Sequence, residues 1–444
     1  MKIILALGWY FPDSLGGTEV YVDALAQRLK GSGCEVFIAA PAAGSSEERE
    51  YLHEGISVYR YPTPSAPSRA ECQGLVAVRG VERLHTWIHD IRPEIFHLHT
   101  FTTGLGLIEM QVAKQAGARV IATCHLSSLG WICQRGSMMQ WGEVPCDGIC
   151  RIAKCAACEL QHRGVPKLAA KVLGSLPASL SHIGGGLPGR VGTSLGMSQL
   201  IARNQRMQTD CLNLLDHFVL LTRWDLEIVA RNGAPRGKLV LNRLGLSHRG
   251  IDSKPSPSER RTQAPVRIGY VGRFDRLKGV HYLTRAIASL DSEVPLRVEL
   301  CGPVRTAAER EYLAEVLAEA KGDPRIEVKP EVAVSEIPEL LKTYDLLCCP
   351  SVTREGGPTV AIESQAVGTP VIGSRIGGLP EIIEDGRNGR LFAPGDWRGL
   401  ADLLREIAEN PGTIDPWRAA LPQVRTMDEV AADYLDLYRS SVAA

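Results

Sequence analysis

The sequence predicts an α/β protein built from two similar parallel-sheet domains in tandem, and three observations carry that reading. Apolar runs of strand length alternate with helical patterns along the whole chain. Near the start, strand, glycine turn and helix follow one another without interruption, as a βαβ unit requires. One polar, breaker-rich stretch, Ser247 to Pro265, lacks periodicity and divides the alternation into two halves.

In chain order, KIILAL is the first strand, and a helix from Thr18 to Lys30 follows with Val20, Leu25, Ala26 and Leu29 as its apolar stripe and Gly31 and Gly33 as its stop. EVFIAAP, IFHLHT and RVIATCH supply further strands of the first half. Beyond the linker, VRIGYVG, LRVELCG, RIEVKP, DLLCCPS, TPVIGS and GRLFAP are strands, separated by helical segments such as Ile337 to Thr343 and Thr359 to Val367. In the tail, Val430, Leu435, Leu437 and Tyr438 fall at helical spacings. The expected division is a first domain over residues 1–246 with a cysteine-rich insert at 124–165, a second over 265–426, and a final helix over 427–444 that packs back on the first domain.

The 444 residues are chain enough for two or three domains, and 44% hydrophobic with 23% charged residues is ordinary globular usage, which excludes disordered, collagenous and coiled-coil classes. Lysine plus arginine equals aspartate plus glutamate at 50 each, so no overall field draws the chain to nucleic acid, and no nucleic-acid partner is expected. A local field exists: Arg151 to Arg206 holds eight basic residues against one acid, Glu159. No apolar run approaches the about 18 to 20 residues that span a bilayer. The opening MKIILALGWYFP has no small-residue cleavage site after it and reads as a strand, so a cytoplasmic location is expected.

The stretch SVTREGGPTVAIESQAVGTPVIGSRIGGLPEIIE carries the most chemistry. Glu355 follows a strand; Gly356 and Gly357 can bring backbone N–H groups close to an anion, and Pro358 and Thr359 open a helix whose positive end attracts phosphate. Glu363 stands one turn further on, where it can reach ribose hydroxyls. Alone, Glu355 would read as a capping acid and Glu363 as a solvated helix residue. The context is YVGRFDRLKGVHYLTRAI, in which a strand ends at Gly272 and Arg273 and Lys278 follow before the next helix. Both loops leave the carboxyl ends of strands, where α/β sheets bind ligands, so one site is expected to hold two cations, two carboxylates and a diphosphate.

These motifs resemble a retaining glycosyltransferase of family 4, with the GT-B architecture of two Rossmann-like domains facing each other across a cleft. The family's two glutamates separated by seven residues are matched by Glu355 and Glu363, its diphosphate-holding Arg and Lys by Arg273 and Lys278, and its amino-terminal glycine loop by Gly16 and Gly17. GGLPEII at 377–383 resembles the loop that follows. The departures are GGP at 356–358 and Ser364 after the second glutamate. The resemblance implies a hexosyltransferase using a nucleotide-sugar donor, Glu355 at the sugar and Glu363 at the ribose, no cofactor required for catalysis, and an acceptor that is a glycan or lipid-linked. It also implies an active-site histidine at His125 in VIATCHL, read as a positioning hydrogen-bond donor; His99, on one strand face with His97, is a further candidate for acceptor contact. Retention without a firmly held metal is implied too, and no Asp-x-Asp dyad stands in a loop to hold Mg²⁺.

Five cysteines lie between Cys133 and Cys158, and Cys155-x2-Cys158 forms one chelating knuckle. By likeness to family members with a similar insert, Cys133, Cys146, Cys155 and Cys158 are the expected ligands of a structural zinc, leaving Cys150 over; an iron–sulfur cluster or plain thiols are the other readings. The basic segment reads either as a lid leaning on an anionic membrane surface or on a phosphate-bearing acceptor, or as a solvated face. The competing functional readings are a sugar-nucleotide epimerase, a glycosidic phosphorylase, and a non-catalytic scaffold that binds a partner through the cysteines.

Overall fold

The computed structural model describes residues 1–13, 16–125, 133–135, 138–142, 144–185, 187, 189–247 and 263–443. The linker read at Ser247 to Pro265 lies mostly outside the described residues. The chain divides into two compact units, one of Met1–Arg243 with Met427–Ala444, the other of Leu244–Thr426.

The first unit contains β1 (Lys2–Ala6), β2 (Glu35–Ala43), β3 (Arg49–His53), β4 (Ile56–Thr63), β5 (Ile95–Leu98), β6 (Arg119–Cys124), a two-strand ribbon of β7 (Met139–Gln140) and β8 (Val144–Pro145), β9 (His217–Leu220) and β10 (Leu239–Leu241). Its main sheet runs β10-β9-β6-β5-β1-β2-β4-β3, with every pairing parallel except β3 on β4. Ile3, Ile4, Leu5 and Ala6 are all fully buried, which a strand covered by helices on both faces requires.

The basic stretch is largely helical. Helices Ile152–His162, Lys167–Gly174, Ala178–Gly185, Gly189–Leu195 and Met197–Leu214 cover it, and their shared core is small, built on Ala156, Leu160, Ala170, Met197 and Ile201. The final helix, Met427–Ala443, belongs to this unit and buries Val430, Tyr434, Leu435 and Tyr438. Leu437 is off that face, and Tyr434 takes the place the periodicity gave it.

The second unit contains β11 (Val266–Val271), β12 (Leu296–Cys301), β13 (Ile326–Lys329), β14 (Leu346–Cys349), β15 (Val371–Ser374) and β16 (Gly389–Phe392), all parallel, in the order β13-β12-β11-β14-β15-β16. Leu346 and Cys348 enter one core cluster and Leu347 and Cys349 the other, so the unbroken apolar run DLLCCPS is a strand buried on both faces. The strand order reverses at β11 and β14. Loops leaving the carboxyl ends of two such neighbours diverge to opposite faces and open a crevice between them.

Candidate active site

The loop after β11 begins at Gly272 and passes the exposed Arg273 into a single turn, Arg276–Lys278, whose start is capped by Asp275 accepting from the Leu277 N–H at 2.8 Å. Gly279 ends the turn at φ +68°, and a Cβ there would overlap the Pro350 carbonyl, so glycine is needed both for the backbone angle and for the approach. On the other side, Val352 N–H donates to the Leu277 carbonyl at 2.9 Å. The β11 and β14 loops are thereby joined through their backbones.

That junction brings two of the predicted side chains, Lys278 and Glu355, together. Lys278 Nζ lies 2.7 Å from Glu355 Oε1, and Ser351 Oγ donates to the same oxygen at 2.8 Å. Both partners of the ion pair are largely shielded, with 27% and 12% of their side chains exposed. A third loop, after β15, closes on Glu355: Gly378 N–H donates to its carbonyl at 2.7 Å, and a Cβ on Gly377 would sit 2.6 Å from that same oxygen. Gly357 has φ +102°, and Pro358 caps the helix Thr359–Ala366. That helix start carries no side-chain cap, and its Ala361 N–H donates to the Pro358 carbonyl at 3.0 Å.

Glu363 is not the solvated helix residue its sequence position alone suggests. It is 7% exposed, and burial pushes its carboxyl up to about 7. Arg273 is exposed, and its field reaches Glu309, whose carboxyl is held below the usual range first by hydrogen bonds from the Thr306 N–H. Ser351 is the neighbour of Glu355 that motif reading passed over; its one signal is its place four residues before Glu355 at the end of an apolar strand.

In the first unit, the loop after β1 is joined to the loop after β5 by the Gly8 N–H donating to Thr100 Oγ1 at 2.6 Å. Gly16 precedes the helix Gly17–Gly31, and the carboxylate of Glu19 folds back over it where a Cβ would collide. His125 follows β6. Its Nε2 lies 3.0 Å from His99 Nδ1, and its ring meets Tyr21 edge to face at 4.8 Å. His99 is fully buried and presents no surface to an acceptor, contrary to its expected role in acceptor contact. His97 lies on the same strand face, its ring 4.0 Å from that of His99, and it is pinned by Tyr438 OH at 2.6 Å and Thr123 Oγ1 at 2.8 Å. Burial holds both His97 and His99 well below the usual imidazole range, so both are neutral at pH 7.

The five clustered cysteines, Cys133, Cys146, Cys150, Cys155 and Cys158, line one cavity, and no disulfide joins them. No group of three or more His, Cys, Asp or Glu side chains among the described residues has the spacing of a formed metal centre. No helix among the described residues is long and apolar enough to cross a membrane.

Two family models match, the glycosyl transferase 4-like domain over residues 16–245 and the group 1 glycosyl transferases over residues 254–421. A D-inositol 3-phosphate glycosyltransferase of Arthrobacter sp. (strain FB24) is 26% identical over 96% of this chain and 90% of its own length. Among solved structures, sucrose-phosphate synthase from Thermosynechococcus elongatus superposes with a TM-score of 0.67 at 18% identity over 100% of both chains. HepE of Anabaena, solved in complex with UDP, superposes with 0.63 at 16% identity over 99% of this chain and 100% of that one. The fold of paired parallel sheets is therefore GT-B, and the chain belongs to the family 4 glycosyltransferases, which move a hexosyl group from a nucleotide sugar to an acceptor.

Proposed function

We propose that the second unit holds the donor at the β11/β14 reversal, with Arg273 and Lys278 on the diphosphate, Glu355 on the transferred sugar and Glu363 on the ribose. The observation that carries this reading is the ion pair of Lys278 with Glu355 at 2.7 Å, seated where two backbone-linked loops leave adjacent strands. A diphosphate arriving there exchanges one partner of Lys278 for another, so the lysine is never left bare. At an effective dielectric near 20, a charge pair about 4 Å apart is worth on the order of 4 kcal/mol, enough for two cations to hold a departing diphosphate. The N–H groups of Gly356, Gly357 and Thr359, with Pro358 fixing the turn into the helix, add donors without adding charge. A buried Glu363 suits hydroxyls, which donate to it without a full counter-charge.

Transfer then runs with retention. The acceptor oxygen forms its bond to the anomeric carbon on the face from which the diphosphate leaves; the carbon–oxygen bond to the diphosphate breaks, and the acceptor proton passes to a phosphate oxygen. Arg273 and Lys278 take up the developing charge, and the sequence of steps calls on no cofactor. In the first unit, His125 orients the acceptor hydroxyl, His99 fixes the imidazole of His125, and Gly16 and Gly17 allow close approach at the helix start.

The acceptor is read as a hydroxyl of a glycan, a glycolipid or a phosphorylated polyol in polysaccharide or cell-envelope assembly; likeness to the Arthrobacter D-inositol 3-phosphate glycosyltransferase supports the phosphorylated class. The location is read as cytoplasmic, at an anionic membrane face. Lys167 and Lys171 are exposed beside Leu168 and Val172, whose side chains are 79% and 70% exposed, and no acidic residue occurs from 160 to 209. A panel of nucleotide sugars, assayed for nucleoside-diphosphate release with and without acceptors, tests the reading. Acceptor-dependent release with retained anomeric configuration supports it; an inverted product, or epimerised donor with no release, contradicts it.

A further inference from the structure

The amino ends of β6, β9 and β10 gather cations around a cavity that the transfer chemistry leaves unused. Arg119 opens β6, His217 opens β9 with Asp216 just before it, and Lys238 immediately precedes β10; β9 pairs in parallel with both of the other strands. Lys114 reaches the same place from the end of the helix Leu107–Gln115, and Ser440 and Ser441 reach it from the final helix. The cavity holds about 510 Å³, inside the range of about 300–1,000 Å³ usual for small-molecule sites. His125 follows the opposite end of β6, so at about 3.3 Å per residue Arg119 stands about 20 Å from it.

The groups that line this cavity are only partly spent. Asp216 takes Lys114 Nζ at 2.6 Å and the Val120 N–H at 2.7 Å, whereas Arg119 comes no closer to it than 3.5 Å and its guanidinium makes no hydrogen bond among the described residues. Lys238 Nζ closes the end of the helix Met197–Leu214, donating to the Leu212 and Asn213 carbonyls at 2.8 and 3.0 Å, and keeps its third N–H. His217 Nδ1 is buried and has no hydrogen-bond partner among the described residues. Burial holds the Lys238 ammonium below its usual range, with Asp216 opposing and Lys114 adding to the effect, so the two lysines feel each other's charge. Capping a helix end accounts for Lys238, and an ion pair accounts for Lys114. Neither accounts for Arg119 and His217 beside them.

Charge and hydrogen-bonding capacity narrow the ligand. Three cations face one carboxylate, an excess that suits the two negative charges of a phosphate monoester. Ser440 Oγ donates to the Leu437 carbonyl at 2.9 Å and Ser441 Oγ to the same carbonyl at 2.6 Å, so both hydroxyls have spent their protons and keep only lone pairs for a ligand. Lone pairs of that kind are met by a ligand's own hydroxyl groups. We propose that the cavity binds a sugar or polyol monophosphate, its phosphate on the Arg119 fork and the remaining Lys238 N–H, its hydroxyls on Ser440, Ser441 and Asn213. A ligand so held ties the last turns of the final helix to the amino ends of β6 and β10. The site is independent of the donor loops and stands whether or not the transfer reading does.

The test titrates the full chain by calorimetry with glucose 6-phosphate, ribose 5-phosphate and myo-inositol 1-phosphate, with inorganic phosphate and glucose as the two halves of the ligand. At least one sugar or polyol monophosphate is expected to bind at least about tenfold more tightly than either half. Arg119→Gln and Lys238→Gln should each weaken that binding at least about tenfold, while Lys278→Ala and His125→Ala leave it unchanged. Hydrogen exchange of the unaltered chain keeps the proposal testable if the variants misfold: the ligand should slow exchange over 213–217 and 437–443. Three results would overturn it: no binding by any of the three monophosphates, inorganic phosphate binding as tightly as they do, or binding that His125→Ala abolishes and Arg119→Gln spares.

Discussion

The backbone N–H of Val352 donates to the carbonyl of Leu277 at 2.9 Å, one residue before the lysine that pairs with Glu355. A backbone bond between two loops fixes both lysine and glutamate from their main chains, so their meeting does not depend on two long side chains finding each other in solvent. Strand order makes the bond available: β11 and β14 are parallel neighbours, and their outgoing loops start side by side.

Removing one partner of that pair should abolish transfer and spare the fold. Lys278→Ala and Glu355→Gln are expected to lower kcat/KM by at least about 100-fold, the scale of losing a preorganised charge at a reacting diphosphate. Lys278→Arg should recover part of the loss. Steady-state kinetics alongside near-ultraviolet circular dichroism checks this, and unchanged kinetics in both variants would remove the site assignment.

The glycine junction should be equally intolerant. Gly279→Ala puts a methyl group against the Pro350 carbonyl at a left-handed backbone angle. The expected cost is about 2 kcal/mol or more in urea unfolding, with weaker nucleotide binding as the two loops part. Gly412→Ala, where a Cβ meets nothing within 4 Å, is the control and should leave binding unchanged.

Glu363 makes binding and stability depend on pH in opposite directions. Burial holds its carboxyl at about 7 against an ordinary 4.5, so the folded chain keeps a proton that the unfolded chain releases. Its contribution to stability is complete below about 4.5 and is lost as pH rises through about 7, in total roughly 3 kcal/mol. Ribose hydroxyls donate to the ionised form, so affinity for a nucleoside diphosphate should rise roughly tenfold between pH 6 and 8, as the ionised fraction does. Glu363→Gln should flatten both dependences, which calorimetric titration and thermal unfolding at several pH values would read.

In the first unit, Tyr438→Phe leaves His97 Nδ1 without its 2.6 Å partner in a fully buried position. The expected loss is about 1–3 kcal/mol of stability with nucleotide affinity unaltered. Because His97 and His99 are held neutral, stability should also fall as pH drops below the ordinary imidazole value of 6.5, where the unfolded chain takes up protons that the folded chain refuses. Because Glu363 works in the opposite direction over the same range, the test is made in Glu363→Gln, where a stability profile flat between pH 7 and 5 would contradict the neutral pair.

Much of this was legible in the sequence because periodicity and glycine placement report backbone needs directly. The strands around DLLCCPS and VRIGYVG, the cationic turn and the double-glutamate loop all declare themselves within a few residues. What escaped depends on distance along the chain. Tyr434 and Tyr438 matter because they meet Thr123 and His97, more than 300 residues away, and a helical stripe says nothing of its partner. The antiparallel β3 was hidden because Arg49–His53 is polar and half exposed, as an edge strand is. The helices across the basic stretch were obscured by its glycines and prolines, which read as loop.

The central claim is that the Arg273–Lys278 turn and the Glu355 loop grip one diphosphate. Titrating the nucleoside diphosphate that the donor panel identifies, and the matching monophosphate, into the unaltered chain, Arg273→Ala and Lys278→Ala measures it most directly. The diphosphate is expected to bind the unaltered chain at least about tenfold more tightly than the monophosphate, a difference of about 1.4 kcal/mol, and each variant to lose most of that preference while still binding the monophosphate. A preference for the diphosphate that survives in both variants would contradict it.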